Sequence, residues 1–250
     1  MKVRYFLEFS YAGTNYHGWQ SQPNAISVQE VMENALSILL KSKITLIAAG
    51  RTDTGVHARQ MYAHFDSSLN AELQNQIVYQ LNQFLPSDIV IHSIRQVKSD
   101  THARFDALSR TYEYHISKGK VAFENNLHYQ INQNLDFKQM NDAAQILLEY
   151  DDFECFSKSK TDVKTFFCDI TYAKWTNSKK GYTFTITANR FLRNMVRAIV
   201  GTLIEIGLNK KKVEELHQII SFKKRSAAGY SVPAQGLFLT KIEYPNSIYL

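Results

Sequence analysis

Apolar and polar residues alternate from the start of the chain. Val3, Tyr5, Leu7 and Phe9 share one side of a pleat over residues 3–11, the two-residue period of a strand with one buried face. Similar patterns predict strands at 43–49, 57–66 and 89–98. Between them lie helical periods. Ser27 and Glu30 form an S-x-x-E capping box, in which each side chain can satisfy an orphan N–H of the first turn. Val28, Val31, Met32, Ala35 and Leu39 follow at helical spacing to about Lys41. A second helix runs from Asn70 through Leu73, Ile77, Leu81 and Phe84, and Pro86 stops it. The order is β-α-β-β-α-β.

The second half repeats that order. A strand near 108–117 precedes a helix opened by Asp136 and Gln139; residues 166–189 read as a hairpin turning near Lys179–Gly181. A helix is expected from about Phe191, striped by Leu192, Met195, Val196, Ile199, Val200, Leu203 and Ile204 and ending by Gly207. Another at 212–221 precedes a last strand, GLFLTKIEY. The expectation is an α+β fold of two ferredoxin-like, or RRM-like, βαββαβ halves, 1–105 and 106–250, packed side by side around a central cleft. The repeat is one of pattern, with little residue identity between the copies.

Composition narrows the class. Hydrophobic residues make up 44% of the 250, enough for a real core and too many for a disordered chain. No apolar run approaches the ~20 residues needed to span a bilayer, and Glu8 inside the first run fits a strand and not a signal peptide. Cys155 and Cys168 stand without C-x-x-C spacing, so no disulfide framework or zinc ribbon is expected. A cytoplasmic protein without membrane attachment is the simplest expectation. The net charge of +6 is uneven. Residues 1–105 hold 9 basic and 8 acidic side chains, whereas 106–250 hold 20 and 15. A basic half beside a near-neutral one suits a polyanionic partner.

Three segments carry candidate chemistry. In AGRTDTGVH (49–57), Gly50 and Gly55 bracket Arg51-Thr52-Asp53. In an extended backbone Arg51 and Asp53 point the same way, giving a carboxylate held ionised beside a guanidinium; the same residues also suit a surface hairpin with a simple ion pair. Arg190, Arg193 and Arg197 at i, i+3, i+7 would share one face of the expected helix, for phosphates or for solvent. His102-Ala103-Arg104-Phe105 and Ser109-Arg110-Thr111-Tyr112-Glu113-Tyr114 mix arginines with rings, and Tyr112 and Tyr114 share a strand face that suits an unstacked base or ordinary packing. His57 and His64 would lie on opposite faces of a strand. Histidines elsewhere lack ligand spacing, so no metal is expected. Phosphate-loop and dinucleotide fingerprints are missing from the sequence, and no cofactor is expected.

Together these segments resemble the tRNA pseudouridine synthase A family. The matching text is YAGTNYHGWQSQ at 11–22, SVQEVMENAL at 27–36, AGRTDTGVHA at 49–58, HARFDALSRTYEY at 102–114, NRFLRNMVRAIVG at 189–201 and QGLFL at 235–239. The resemblance implies a pseudouridine synthase fold and a tRNA uridine isomerase acting at positions 38, 39 and 40 of the anticodon stem-loop. It matches Asp53 to the essential nucleophile, Tyr112 to the tyrosine against the target uracil, Arg51 to the arginine holding the nucleotide out of the stack, and Arg197 to the arginine that pairs with the aspartate. It also implies a homodimer on tRNA, without cofactor or metal. Arg193 stands where relatives often carry an aromatic or histidine and receives no catalytic role. Two other readings fit parts of the pattern. One is a non-catalytic RNA-binding protein of two RRM-like units, although VHARQMYAHFD lacks the RNP pattern. The other is a glycoside hydrolase pairing Asp53 with Asp66 or Asp106.

Overall fold

The computed structural model describes residues 2–69, 73–124, 126–158, 163–179 and 181–250. It contains the strands β1 (Val3–Tyr11), β2 (Ile47–Ala48), β3 (His57–Ser67), β4 (Ile89–Gln96), β5 (Ser109–Ser117), β6 (Tyr129–Gln130), β7 (Ile170–Ser178), β8 (Gly181–Ala188) and β9 (Leu237–Glu243). The helices are α1 (Val28–Leu39), α2 (Gln74–Phe84), α3 (Phe137–Ile146), α4 (Met195–Gly207) and α5 (Glu215–Ser221). The class is α+β. The chain forms two compact units, Met1–Leu108 with Phe238–Leu250, and Ser109–Leu237. Relative to a division at 105/106, the closing segment 238–250 falls in the first unit.

In the first unit β1 pairs antiparallel with β3 and β4, β2 pairs antiparallel with β3, and β9 runs parallel to β3 with His57 opposite Phe238. The order β4-β1-β3-β2 is that of a ferredoxin-like sheet. Leu7, Met32, Leu36, Leu81, Leu85 and Ile91 line one small gap, so one face of β1 and β4 is covered by α1 and α2. The opposite face carries a smaller cluster, Phe6 with Val97, Ala103 and Ile248, roofed by Tyr62, Tyr244 and Tyr249. Ser27 caps α1 by accepting the Glu30 N–H at 3.2 Å. Residues Asn70–Glu72, where the sequence pattern places the start of the second helix, lie outside the described residues.

The strand expected at 43–49 contracts to Ile47–Ala48. Its first residues find other partners. Ser37 Oγ accepts the Ile44 N–H at 2.9 Å, Glu33 accepts the Leu46 N–H at 2.8 Å, and Gln29 donates to the Leu46 carbonyl at 3.2 Å. Polar side chains of α1 thus take backbone groups that a ladder would have used, and buried backbone groups need only one such partner each.

In the second unit β8 lies between β5 and β7, antiparallel to both, and β6 pairs parallel with β5. Trp175 and Phe184 pack at 5.0 Å, both wholly buried, and Met140, Ala143 and Ala144 of α3 and Ile199 and Leu203 of α4 are buried too. Asp136 caps α3 by accepting the Gln139 N–H at 3.0 Å. The helix expected from Phe191 starts four residues later, because Asn194 holds a left-handed φ of 68°, which no residue inside a right-handed helix adopts. Arg190 and Arg193 therefore precede α4. The expected three-arginine helix face does not form, and only Arg197 lies on the helix.

Candidate active site

The segment from Gly50 to Val56 links β2 to β3 and carries Arg51, Thr52 and Asp53. Arg51 is exposed and Asp53 half-buried. Thr52 is fixed twice. Its Oγ1 lies 2.8 Å from the Tyr11 hydroxyl, and its carbonyl accepts the Trp19 N–H at 3.3 Å. After Asp53 the chain turns back, with the Val56 N–H on the Asp53 carbonyl at 3.1 Å and Gly55 at φ 78°. The backbone on both sides of the carboxylate is thereby held while the side chain keeps access to solvent.

What holds it is the stretch between β1 and α1. Gly18 has φ 84°, and a Cβ there would stand 2.4 Å from the Thr52 oxygen; one at Gly13 would stand 2.0 Å from the Val56 oxygen. Two backbones meet at these points, and only glycine admits the approach. Gly13 also donates its N–H to His57 Nδ1 at 3.0 Å, which requires that nitrogen to be unprotonated. The His57 ring stacks on Phe238 at 4.6 Å, and the Arg59 guanidinium lies 5.1 Å from the centre of the Phe238 ring. Asp88 closes the outer side. It accepts the Tyr16 hydroxyl at 2.5 Å and the Asn15 amide at 3.1 Å, while the Tyr16 carbonyl accepts the Gly55 N–H at 3.4 Å. Burial, and then the bond to Asp88, raises the Tyr16 phenol pKa. Sequence reasoning singles out the loop but not Gly13, Tyr16, Gly18, His57 or Asp88 as its supports. The two glycines spaced five apart in YAGTNYHGW are the readable signal; Asp88 is distant in sequence and gives none.

The other two expected site residues belong to the second unit. Tyr112 is half-buried in β5, opposite Ile186, with its ring edge-on to Phe191 at 5.1 Å and 87°. Tyr114 is wholly buried and donates its hydroxyl to the Pro233 carbonyl at 2.7 Å; burial pushes its pKa strongly up. The expected pair of rings for a base thus separates into a core residue, Tyr114, and a ring with remaining open surface, Tyr112.

Arg197 stands in the first turn of α4, half-buried. Its Nε donates to the Val232 carbonyl at 2.7 Å, and the Val232 N–H donates back to the Arg197 carbonyl at 3.2 Å. Asn194 donates to Ser231 Oγ at 2.7 Å, and Arg225 donates to Ser231 Oγ at 2.9 Å and to the Gly229 carbonyl at 2.8 Å. The segment 229–232 is laced to the start of α4, which fixes the stem of the Arg197 side chain. Arg193 is exposed, and its carbonyl accepts the Lys158 N–H at 3.0 Å.

The carboxylates weighed as second acids have structural partners. Asp66 receives Arg4 in a fork at 2.8 and 2.9 Å, and this pairing lowers its pKa. Asp106 accepts the His102 N–H at 2.7 Å. Among the described residues, no group of three His, Cys, Asp or Glu side chains is placed to hold a metal ion, and no helix is long and apolar enough to cross a membrane. Burial raises the thiol pKa of both Cys155 and Cys168, to about 12 and about 11, which keeps them in the unreactive thiol form.

A family model described as tRNA pseudouridine synthase matches residues 9–106 and 143–245. A tRNA pseudouridine synthase A of Bacteroides thetaiotaomicron is 49% identical over 249 residues, covering 98% of this chain and 92% of that protein. One of Porphyromonas gingivalis is 46% identical over 251 residues, covering 99% of this chain and 100% of the relative. One of Acetivibrio thermocellus is 41% identical over 240 residues, covering 95% and 98%.

Proposed function

Because this chain belongs to the tRNA pseudouridine synthase A family, a family of isomerases, we propose that it converts uridine to pseudouridine at positions 38, 39 and 40 of the tRNA anticodon stem-loop, with Asp53 as nucleophile. The observation that supports this most is the backbone clamp on residues 52–56. Gly13 and Gly18 admit the close approach, and Thr52 and Val56 are tied on either side of Asp53. A carboxylate presented on so fixed a backbone is pre-organised for attack at one atom.

The reaction breaks the N1–C1′ bond of the target uridine, turns the freed uracil, and joins its C5 to C1′. Asp53 attacks C1′ and leaves an anionic uracil. After the base turns, C5 displaces the carboxylate, and the proton on C5 passes to N1. Nothing is gained or lost overall, so neither an oxidant nor a cofactor is needed. Tyr112 supplies the ring against the uracil, and Arg51 and Arg197 are assigned to substrate binding. Extruding the base costs about a few kcal/mol, offset by phosphate contacts. We further propose that the protein works as a homodimer in the cytoplasm, without metal.

The test is pseudouridine mapping in an unmodified tRNA transcript, by carbodiimide labelling and primer extension, with EDTA present. Wild-type protein is expected to give new stops at 38–40, and Asp53→Asn none. Wild-type rates in Asp53→Asn would remove the nucleophile assignment. Tight transcript binding without any stops would favour a non-catalytic RNA-binding protein.

A further inference from the structure

Phe105 is 72% exposed, yet the turn that carries it is firmly built. The Ala103 N–H donates to His64 Nδ1 at 3.1 Å, and the Ala103 carbonyl accepts the Tyr244 hydroxyl. The Arg104 N–H donates to His102 Nδ1 at 3.1 Å. The ends of the turn close on each other, with the Asp106 carboxylate accepting the His102 N–H at 2.7 Å and the Asp106 N–H reaching the His102 carbonyl at 3.1 Å. Rings continue the support inward: His102 lies 4.3 Å from Phe105, and His64 lies 4.7 Å from His102. His64 is buried, and burial drives its pKa down to about 4, so the acceptor that holds Ala103 persists at neutral pH. The Arg104 guanidinium stands 5.6 Å from the Phe105 ring centre.

Other rings of this chain are exposed too, Phe123 and Phe222 among them; Phe105 combines its exposure with a hydrogen-bonded turn and a guanidinium beside the ring. An exposed ring beside a guanidinium is what an unpaired base with its phosphate requires, since every base has a π-face and the cation meets the backbone charge. We propose that Phe105 is a stacking platform for an unpaired base of the RNA substrate, with Arg104 placed for the neighbouring phosphate. The proposal rests on the tRNA reading above and adds to it a second base contact, outside the residues assigned to the reacting uridine. An RNA fits better than a protein partner because the exposed apolar surface of this segment is one ring and Leu108, too little for a protein interface, and the ring has a guanidinium beside it.

The experiment uses the full chain and an unmodified tRNA transcript, and reads binding and pseudouridine formation separately. Phe105→Ala is expected to weaken transcript binding at least ~5-fold, with Phe105→Tyr close to wild type. Phe123→Ala, which removes a fully exposed ring, is expected to leave binding unchanged. In Phe105→Trp the new indole would be the exposed one, as Trp19 and Trp175 are buried, and stacking would quench its long-wavelength emission. Unchanged binding in Phe105→Ala, or unquenched indole emission from Phe105→Trp in the bound complex, would overturn the platform. So would a change in sedimentation with transcript affinity intact, which would mark a contact between protein chains. A wild-type protein that binds the transcript but makes no pseudouridine would defeat the catalytic reading, while the quenching result would still decide the platform.

Discussion

His64 shows how one side chain links folding to pH. It is buried in β3, its Nδ1 accepts the Ala103 N–H, and burial first, then the nearby Arg4 and His102, lowers its pKa from 6.5 to about 4. The folded protein therefore prefers the neutral ring. Above pH 6.5 neither folded nor unfolded chain protonates it and stability is full. Between 6.5 and 4 the unfolded chain takes up the proton and the folded one does not, so stability falls with pH. The expected loss between pH 7 and 5 is at most about 2 kcal/mol. Urea denaturation at the two pH values measures it, and His64→Asn, which keeps an acceptor without a titrating ring, should reduce the difference. An equal pH dependence in the variant would place the effect elsewhere. Around Asp53 it is backbone that matters: Gly13 and Gly18 contribute by lacking a side chain.

Among the elements, the two units use one device on different strands. Asn82 of α2 accepts the Ile91 N–H and donates to the Ile91 carbonyl, both at 2.8 Å. Asn141 of α3 does the same to Trp175, at 2.9 and 3.3 Å. β4 and β7 each use their other side for a strand partner, β1 and β8 respectively. A helix amide thus satisfies one residue of a strand whose outer groups would otherwise be available to another chain. Leucine at either position leaves an N–H and a carbonyl without their partner, at a cost of about 1–3 kcal/mol. Asn82→Leu and Asn141→Leu should each lower the urea midpoint, and Asn82→Asp, which keeps only the acceptor, should fall between. A midpoint unchanged in both leucine variants would show that solvent replaces the amide. The pattern of repeated elements was legible in the sequence because hydrophobic periodicity is local. The side-chain clamps were not, since nothing local links Asn82 to Ile91 or Ser37 to Ile44.

For the molecule as a whole, the informative quantity is where the charge falls. Ser109–Leu237 holds 19 Lys and Arg against 13 Asp and Glu, whereas the first unit, with 10 of each, is neutral. The full surplus of +6 therefore belongs to the second unit, a sharper division than cutting the chain at 105 gives. Binding of a tRNA transcript should accordingly depend on released counterions, weakening ~10-fold or more between 50 and 200 mM salt. Titration at four salt concentrations gives the slope. A flat slope would mean that recognition avoids the phosphates. Charge reversals on the second unit should reduce the slope more than reversals on the first.

The amino-acid order alone is enough for the succession of strands and helices, the caps at Ser27 and Asp136, the basic second half, and the family through GRTDTGVHA and NRFLRNMVRAIVG. Each of these is written in neighbouring residues or in summed charge. Packing settled the matters in which distant residues compete for the same backbone groups or space. It shortened the strand at 43–49 because α1 side chains took its hydrogen bonds, and it buried Tyr114 while leaving Tyr112 half-open. It also set Arg193 off the helix through the left-handed Asn194. Periodicity says which side of an element a residue faces. Only the packed chain says what meets it there.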